Sequence, residues 1–223
     1  MRGSAFAFAL ALITAASVSA QTSGPITIAQ LQYGGGGDWY ANPTGLKNLL
    51  KEIRDRTGIP VSEQAVSTKI TDPALWNYPF LYMTGHGNIR FTDEEVAILR
   101  RYLESGGFLH ADDNYGMDES FRREIRKVFP ASELTPLPPN HPVYHSFYAF
   151  PAGLPKIHRH DGKPPEGSGI FHRGRLVVYY TFETDLGNGW EDQKTYNDAP
   201  ELRELAFRMG VNLFVFALSQ VAS

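Results

Sequence analysis

Apolar runs typical of buried strands alternate along the chain with segments whose apolar positions recur at helical spacing. The runs predict strands within residues 26–33, 61–70, 80–83, 108–111 and 170–180, and the second of these is the weakest. The helical spacing predicts helices at about 45–57, 92–104, 118–129 and 202–218. Strands that alternate with helices in this way predict an α/β domain with a mainly parallel central sheet.

Local signals mark where several of these elements begin and end. Thr92 and Glu95 have the spacing of a capping box, in which each side chain satisfies a backbone N–H at the helix start. Gly58 follows the first predicted helix and is expected to end it in a left-handed conformation. Asp118 is expected to cap the third helix, which Pro130 then terminates.

Two segments lack regular periodicity. Residues 134–169 are rich in Pro, Gly, His and aromatic residues. Loops of this length are usually functional or mobile, so we expect this segment to fold over the strand ends as a loop-rich lid. A hairpin that turns at Arg173 and Gly174 is predicted next, and a polar, aromatic loop at 187–192 precedes the closing helix.

The first residues have the organisation of a secretory signal peptide. A basic start is followed by an apolar run over 5–18 and by the small-x-small pattern of Val18, Ser19 and Ala20. The run is too short for a membrane span, so we expect cleavage after Ala20 and a periplasmic or secreted protein without a stable membrane anchor. The alternative is a disordered or membrane-anchoring start. Residues 21–223 are expected to form a single domain.

Composition narrows the classes of function. The chain has 223 residues, no cysteine and a net charge of −3. The absence of cysteine excludes disulfides and thiol catalysis. With 21 basic against 24 acidic residues and no Lys/Arg cluster, nothing favours binding to nucleic acid or to an anionic membrane surface. A small polar molecule is therefore the expected partner, and the sequence identifies no protein partner.

A glycine-rich segment follows the first predicted strand. Residues 34–37 are all glycine and precede Asp38, Trp39 and Tyr40, so a backbone without Cβ atoms lies beside an acid and two aromatic rings. The Lys-Ser/Thr of a P-loop and a G-x-G-x-x-G spacing are both missing, which argues against a phosphate cradle. A sugar or another ring stacked on Trp39 or Tyr40 fits better. The alternative is that these rings cover the core.

Polar side chains also follow the next two predicted strands. Ligands of parallel α/β sheets bind outside the carboxyl ends of the strands, where His86 and Asp113 are expected to meet. These two suit general acid–base roles, with His141 as a third catalytic candidate, or they begin a metal site with His141 or His145. In a purely structural alternative, Asp112 or Asp113 caps the loop and the following helix. The candidate ligand-binding residues are Gly35, Gly36, Asp38, Trp39, Tyr40, Asn88, Asp112, Asn114, Tyr115 and His145.

A second group of candidates lies in the predicted lid. His158 and His160 place two imidazoles on one side of an extended segment, which is compatible with metal ligation. The adjoining Arg159 and the lack of an identified third ligand favour an exposed part of the lid instead. Glu183 and Asp185, at the end of another predicted strand, are further candidates. The cofactor is therefore unknown, and a divalent metal ion is the one candidate.

Four motifs together resemble a known bacterial family. They are Tyr-Gly-Gly-Gly-Gly-Asp-Trp-Tyr at 33–40, Thr-Gly-His-Gly-Asn at 84–88, His-Ala-Asp-Asp-Asn-Tyr-Gly at 110–116 and His-Pro-Val-Tyr-His-Ser-Phe-Tyr at 141–148. Across essentially the whole mature chain, the sequence resembles domain of unknown function 4159. More distantly, it is similar to the ThuA-like branch of the class I glutamine-amidotransferase fold. That similarity implies a three-layer, flavodoxin-like sandwich and no particular activity.

The comparison with amidotransferases excludes one reaction. Enzymes of that fold carry a nucleophilic Cys on the turn where this chain has Asp112, Asp113 and Asn114, so release of ammonia from glutamine through a thioester is excluded. Two classes of function stay open. One is an exported hydrolase-type or isomerase-type enzyme that acts on a small polar, carbohydrate-like substrate through Asp/His acid–base chemistry. The other is a non-catalytic ligand-binding or protein-interaction domain.

Overall fold

A computed structural model describes residues 24–220 of the chain. Its strands are β1 (Ile28–Gln32), β2 (Val66–Lys69), β3 (Phe80–Gly85), β4 (Phe108–Asp113), β5 (Thr135–Pro136), β6 (Glu166–His172) and β7 (Arg175–Phe182). Its α-helices are α1 (Gly45–Thr57), α2 (Asp93–Glu104), α3 (Asp118–Val128), α4 (Leu186–Trp190), α5 (Gln193–Tyr196) and α6 (Pro200–Ser219). Two short 3-10 helices span Pro73–Asn77 and Pro142–Tyr144.

The strands form one sheet in the order β2-β1-β3-β4-β7-β6-β5. The first five strands in that order run parallel, and β6 and β5 add an antiparallel edge. Because β2 lies on one side of β1 and β3 on the other, the strand order reverses between β1 and β3. A crevice opens at the carboxyl ends of strands at such a switch point. The predicted α/β class with a mainly parallel sheet is confirmed, and the order is compatible with a flavodoxin-like sandwich.

Helices cover both faces of the sheet and give three layers. Residues of α1, α4 and α6 join one buried cluster with Tyr82 of β3. Residues of α2 and α3 join the other cluster with the adjacent Leu81. Neighbouring residues of a strand point to opposite faces, so β3 contributes to both cores and is buried along its whole length. This explains why its sequence is an unbroken apolar run rather than an alternating one.

Most of the predicted boundaries are confirmed. Thr92 and Glu95 form the capping box, since the Thr92 Oγ1 accepts from the Glu95 N–H at 3.2 Å and the Glu95 carboxylate accepts from the Thr92 N–H at 2.8 Å. Gly58 ends α1 with a φ of 71°. The hairpin turns at Arg173 and Gly174, whose φ values of 50° and 80° suit a two-residue turn with both residues left-handed.

Two local predictions are wrong. Asp118 is the first residue of α3 rather than its cap, and its carboxylate accepts hydrogen bonds from Arg122 at 2.7 Å and from the Tyr180 hydroxyl at 2.9 Å. The segment 187–192 is not wholly a loop, because α4 occupies most of it. Short helices of this kind depend on tertiary contacts at their ends, which local periodicity does not reveal.

Residues 134–169 are partly core. Val143, Tyr144 and Ile157 are buried in the same cluster as α6, and the Asn212 side chain of α6 accepts from the Tyr148 N–H at 2.7 Å. Residues 156–163 lie against the carboxyl ends of the strands, where the His158 N–H donates to the Thr184 carbonyl at 2.8 Å. The predicted lid is therefore limited to residues 156–163. Their function as a lid stays a prediction.

The predicted signal peptide at residues 1–20 lies outside the described residues. Within residues 24–220, no helix combines the length and the apolar character that a bilayer span requires. Export and localisation stay predictions from the sequence.

Candidate functional site

The turns that follow β1, β3, β4 and β7 lie together, and we call them the rim. At the rim the Gly37 N–H donates to the Asn88 carbonyl at 3.1 Å, and the Asn88 side chain donates to the Gly35 carbonyl at 2.8 Å. A Cβ at Gly37 would lie 2.1 Å from the carbonyl oxygen of Gly87, so only glycine permits this approach. Gly35 and Gly36 have positive φ values of 107° and 91°. The glycine run thus fastens the β1 turn to the β3 turn, and its predicted ligand-binding role stays a prediction.

Asp38 binds His86 through both carboxylate oxygens. Oδ1 accepts from the His86 backbone N–H at 2.5 Å, and Oδ2 lies 2.8 Å from the ring Nδ1. Partial burial acts to raise the pKa of Asp38, but these contacts with His86 outweigh burial and lower it. When Nδ1–H donates to a carboxylate, Nε2 is the unprotonated nitrogen of the neutral ring. The His86 side chain is 53% exposed, so the ring is accessible to a ligand.

Aromatic side chains stand exposed around this pair. The rings of Trp39 and Tyr40 meet edge to face with centroids 5.6 Å apart. Trp39 packs partly on the core, whereas Tyr40 is 63% exposed. Tyr115 and Tyr196 are also exposed. Partial burial raises the pKa of Tyr196, and the negative charge of Asp38 adds to the increase. Two roles were predicted for these rings. Trp39 partly covers the core, and Tyr40 is available to stack on a ligand.

Asp112 is fully buried and holds the start of α4. Its carboxylate accepts hydrogen bonds from the Thr181 hydroxyl at 2.6 Å and from the Gly187 N–H at 2.7 Å. Burial raises the pKa of Asp112 to about 7, and the charge of Asp185 adds to the increase. In this arrangement Asp112 is inaccessible to a ligand, so its predicted ligand-binding role is replaced by a structural one.

Asp113 caps the turn that leads into α3. Its Oδ1 accepts from the N–H groups of Tyr115 at 3.1 Å and Met117 at 2.8 Å. Burial raises the pKa of Asp113, and these two hydrogen bonds oppose the increase. These contacts match the structural alternative, in which the aspartate caps the loop and the following helix. The carboxylate that pairs with His86 is Asp38 instead.

His141 lies away from the rim, on the face covered by α6. Its ring contacts the rings of Phe171 and Phe216, with centroids 5.9 and 5.6 Å away. Phe171 belongs to the part of β6 that pairs with the start of β7, towards the amino ends of the parallel strands. The three predicted catalytic residues His86, Asp113 and His141 therefore do not converge. Apolar packing against α6 draws the segment around His141 towards the other end of the sheet.

His145 lies close to His141 on the same segment. Its Nε2 is 2.9 Å from the carbonyl oxygen of Pro139. In the part of the chain that the structure describes, neither histidine belongs to a group of three potential metal ligands. The predicted metal site with His141 or His145 and the predicted role of His145 in ligand binding therefore gain no support from these contacts and stay predictions.

Asp185 occupies the rim directly after β7. Its carboxylate accepts from the Asn188 backbone N–H at 3.2 Å and from the Asn188 side chain at 2.6 Å. The amide nitrogen of Asn114, in the orientation that satisfies both partners, lies 2.6 and 2.7 Å from the two Asp185 oxygens. Burial raises the pKa of Asp185 to about 8, while the Asn188 N–H acts to lower it. Asn114 thus orients Asp185. The role in ligand binding predicted for Asn114 is therefore an indirect one, through Asp185.

Residues 156–163 are fastened to the rim by polar contacts. The Lys156 Nζ lies 2.7 Å from the Glu183 Oε2, and Glu183 is almost wholly buried. The Tyr115 hydroxyl donates to the Asp161 Oδ1 at 2.9 Å. This segment therefore covers the ends of β4 and β7.

The histidines of this segment approach Asp185. The His160 Nε2 lies 3.2 Å from the Asp185 Oδ2, and both side chains are buried, at 4% and 1% exposure. One ligand atom each from His158, His160 and Asp185 lie within 4.8 Å of one another. The preference for an exposed segment was therefore wrong for His160, and the third partner that the sequence did not identify is Asp185.

The rim backbone is strained. Tyr115, His160, Glu183 and Asp185 have positive φ values of 94°, 43°, 58° and 61°. A left-handed conformation at a non-glycine residue costs of order 1–3 kcal/mol, and such residues cluster at functional sites. Four of them around one crevice make this rim a candidate for a functional site.

Two cavities lie away from the rim. One of about 500 Å³ is lined by Asn48, Lys51 and Phe207, between α1 and α6. Another of about 470 Å³ lies beside the hairpin turn at Arg173. His86 lines neither of them.

The two rim acids that pair with histidines are ones that the sequence placed below Asp113. Asp38 stood only among the ligand-binding candidates, and Asp185 only as an accessory. Each pairs with a histidine far along the chain, Asp38 with His86 at a separation of 48 residues and Asp185 with His160 at a separation of 25. In the sequence, the signal for both acids is their position shortly after a predicted strand. Asp112 and Asp113 occupy the same kind of position, so this signal does not separate the four acids.

Comparisons with known proteins agree with the sequence resemblance. Residues 27–218 match the family model described as Domain of unknown function (DUF4159). Among functionally curated proteins, none matches this chain. The chain therefore belongs to the DUF4159 family, a domain family whose description assigns no function.

Proposed function

We propose that this protein is an exported, hydrolase-type enzyme that acts on a small polar, carbohydrate-like substrate at the rim. The observation that carries the proposal is the Asp38–His86 pair, in which a carboxylate holds the ring Nδ1 at 2.8 Å while the side chain is 53% exposed. The proposal places this site on a flavodoxin-like sandwich related to the ThuA-like branch of the class I glutamine-amidotransferase fold. The strand order supports that relationship.

The pair has the parts of a general base. Asp38 orients the imidazole and stabilises the imidazolium that forms when Nε2 takes a proton from water or from a substrate hydroxyl. The two oxygens of Asp38 also fix the backbone of His86, so the ring is positioned from two directions. The pair lies at the switch point between β1 and β3, where ligands of this sheet order bind.

The surroundings favour a neutral, hydroxyl-rich substrate. Carboxylates dominate the rim, and the cation Lys156 is paired with Glu183. A concentration of negative charge disfavours an anionic substrate. The exposed rings of Tyr40 and Tyr115 offer flat apolar faces beside these polar groups, an arrangement that suits the C–H face of a sugar ring.

The test uses the purified protein with panels of para-nitrophenyl esters and para-nitrophenyl glycosides, with release of para-nitrophenolate as the readout. We expect turnover by the wild type and a loss of about 10²–10⁴-fold in His86→Gln, the range for removal of a general base. Asp38→Asn should lower kcat while His86 stays in place. His172→Gln is the matched control, because His172 lies at the hairpin end of β6.

The second candidate function is a non-catalytic ligand-binding domain. The capping role of Asp113 favours it, because the predicted acid partner is committed to the turn. Under this alternative the wild type turns over no probe, and wild type and His86→Gln show the same thermal shift with free sugars. Turnover that His86→Gln retains in full would also refute the proposed role of His86.

A further inference from the structure

Three side chains of the rim are arranged as ligands of one ion. His160 Nε2 and Asp185 Oδ2 are 3.2 Å apart, and a ring nitrogen of His158 completes a group within 4.8 Å. Two ligands bound at about 2.0–2.2 Å to one metal ion are roughly 3.0–3.5 Å apart in octahedral or tetrahedral geometry. The His160–Asp185 spacing already has this value, so an ion requires only a small movement of His158.

A hydrogen bond between His160 and Asp185 is the simpler interpretation of that pair, but it does not explain His158. Within residues 24–220, the ring of His158 has no hydrogen-bond partner, although its backbone N–H is fixed by the Thr184 carbonyl at 2.8 Å. Its ring centroid lies 5.7 Å from that of His160. A metal site needs a second imidazole near the carboxylate, with a ring nitrogen available to bind the ion. Neutral imidazole is the commonest protein ligand of metal ions.

The groups behind Asp185 resemble the outer shell of a metal site. Asn188 and Asn114 both donate to Asp185, which fixes the direction of its carboxylate. Partners of this kind orient metal ligands and raise their affinity. The left-handed backbone at His160 and Asp185 turns both side chains towards each other at a cost in stability, and an ion would offset that cost.

The local charge favours a cation. The carboxyl groups of Asp112, Asp113 and Glu183 are buried at the same rim, and Lys156 pairs with Glu183 at 2.7 Å. Asp198 adds a further acid near Asp185, and its Oδ2 is buried without a hydrogen-bond partner in the described part of the chain. Lys156 compensates only Glu183 directly, and a group of acids in a partly buried place is costly unless further positive charge is present.

We propose that His158, His160 and Asp185 bind one divalent transition-metal ion, with Zn²⁺ the best match to two imidazoles and one carboxylate. Three protein ligands leave a coordination position for water or for an oxygen of a ligand, as in catalytic rather than structural zinc sites. The site stands independently of the Asp38–His86 pair. Its failure would leave the proposed general base untouched, and failure of the general base would leave the ion in place.

Metal binding is measured directly on the purified protein, prepared without a histidine tag and stripped with a chelator. We expect one Zn²⁺ per chain in a competition titration with a chromophoric chelator, and a rise in Tm when Zn²⁺ is added. His158→Gln is the decisive variant, because a His160–Asp185 hydrogen bond does not need His158. It should weaken binding at least tenfold with an unchanged fold. His172→Gln should bind as the wild type does.

A second measurement needs no variant. Modification by diethyl pyrocarbonate, located by mass spectrometry, should be suppressed by Zn²⁺ at His158 and unchanged at His172. Wild-type protein that binds no Zn²⁺, Co²⁺ or Mn²⁺ would overturn the proposal. So would equal affinity of wild type and His158→Gln, or protection of His172 to the same extent as His158.

Discussion

Glu191 caps α1 from the far end of the chain, and its removal tests how the rim is supported. The carboxylate is buried at 2% exposure. Its Oε1 accepts from the N–H groups of Thr44 and Gly45, each at 2.8 Å, and its Oε2 accepts from the Thr44 hydroxyl at 2.7 Å. No side chain of the helix's own sequence caps its start. Glu191 directly follows α4, so the same contacts hold α4 and the preceding Asp185 against α1.

The magnitude follows from these contacts. A hydrogen bond to a charged group contributes about 1.5–3 kcal/mol, and a buried N–H left unpaired costs about 1–3 kcal/mol. Glu191→Ala leaves the Thr44 N–H without its acceptor, whereas the Gly45 N–H keeps the Asn42 carbonyl at 3.1 Å, so we expect the free energy of unfolding to fall by about 2–4 kcal/mol. For a chain of this size that corresponds to a decrease in Tm of about 4–16 °C.

The assay is urea denaturation followed by circular dichroism, with amide hydrogen exchange at Thr44 and Gly45 as the local readout. Glu191→Gln is the matched control, because its carbonyl oxygen can take the place of Oε1 while its amide donates to the Thr44 hydroxyl. It should lose about 1 kcal/mol. Glu201→Ala, at an exposed position in the first turn of α6, should change stability by less than about 0.5 kcal/mol.

Two results would refute the reasoning. A loss below about 1 kcal/mol in Glu191→Ala would mean that water or another side chain replaces the cap. Equal losses in Glu191→Gln and Glu191→Ala would mean that the charge or the packing of Glu191 matters rather than its Oε1 acceptor.

Two further predictions concern the glycine run and an ion pair. Gly37→Ala should lower the free energy of unfolding by about 1–3 kcal/mol or more, because the new Cβ would meet the Gly87 carbonyl. Gly24→Ala is the control, since it adds a methyl group in open space. Equal stability of the two variants in a urea titration would contradict this prediction. Hydrogen bonds from Arg56 lower the pKa of Glu204 from 4.5 to about 2, so this carboxylate stabilises the fold above about pH 4.5 and loses that contribution as the pH falls towards 2. The stability difference between wild type and Glu204→Gln should therefore be larger at pH 6 than at pH 3, and an equal difference at both would exclude the linkage.

The sequence alone determined most of the architecture. Strand and helix positions follow from short-range periodicity, since a segment's burial repeats every two or 3.6 residues whatever its partners are. The capping box at Thr92 and the left-handed Gly58 are equally local, because both depend on residues within one helical turn. The edge at which the turns after the strands lie also follows from the sequence, because parallel strands deliver their carboxyl ends to one edge.

The pairing of acids with histidines was decided by the tertiary structure. Several acids follow predicted strands in this chain, and the sequence offers no means to rank Asp38 over Asp113 as the partner of His86. That choice depends on which carboxylate is taken up by the backbone N–H groups of its own turn, as Asp113 is. Which acid stays free for a histidine is therefore settled only when the turns fold.

The fate of the histidines between β5 and β6 also required three dimensions. His141 and His160 both stand in a segment without periodicity, so no local pattern separates them. Burial of Val143 and Tyr144 under α6 carries His141 to the aromatic side chains of that face, while the contacts of 156–163 carry His160 to Asp185. Sequence thus determined the elements and the edge at which the site lies, because these depend on local burial. The structure decided which side chains meet there, because that depends on how long loops pack.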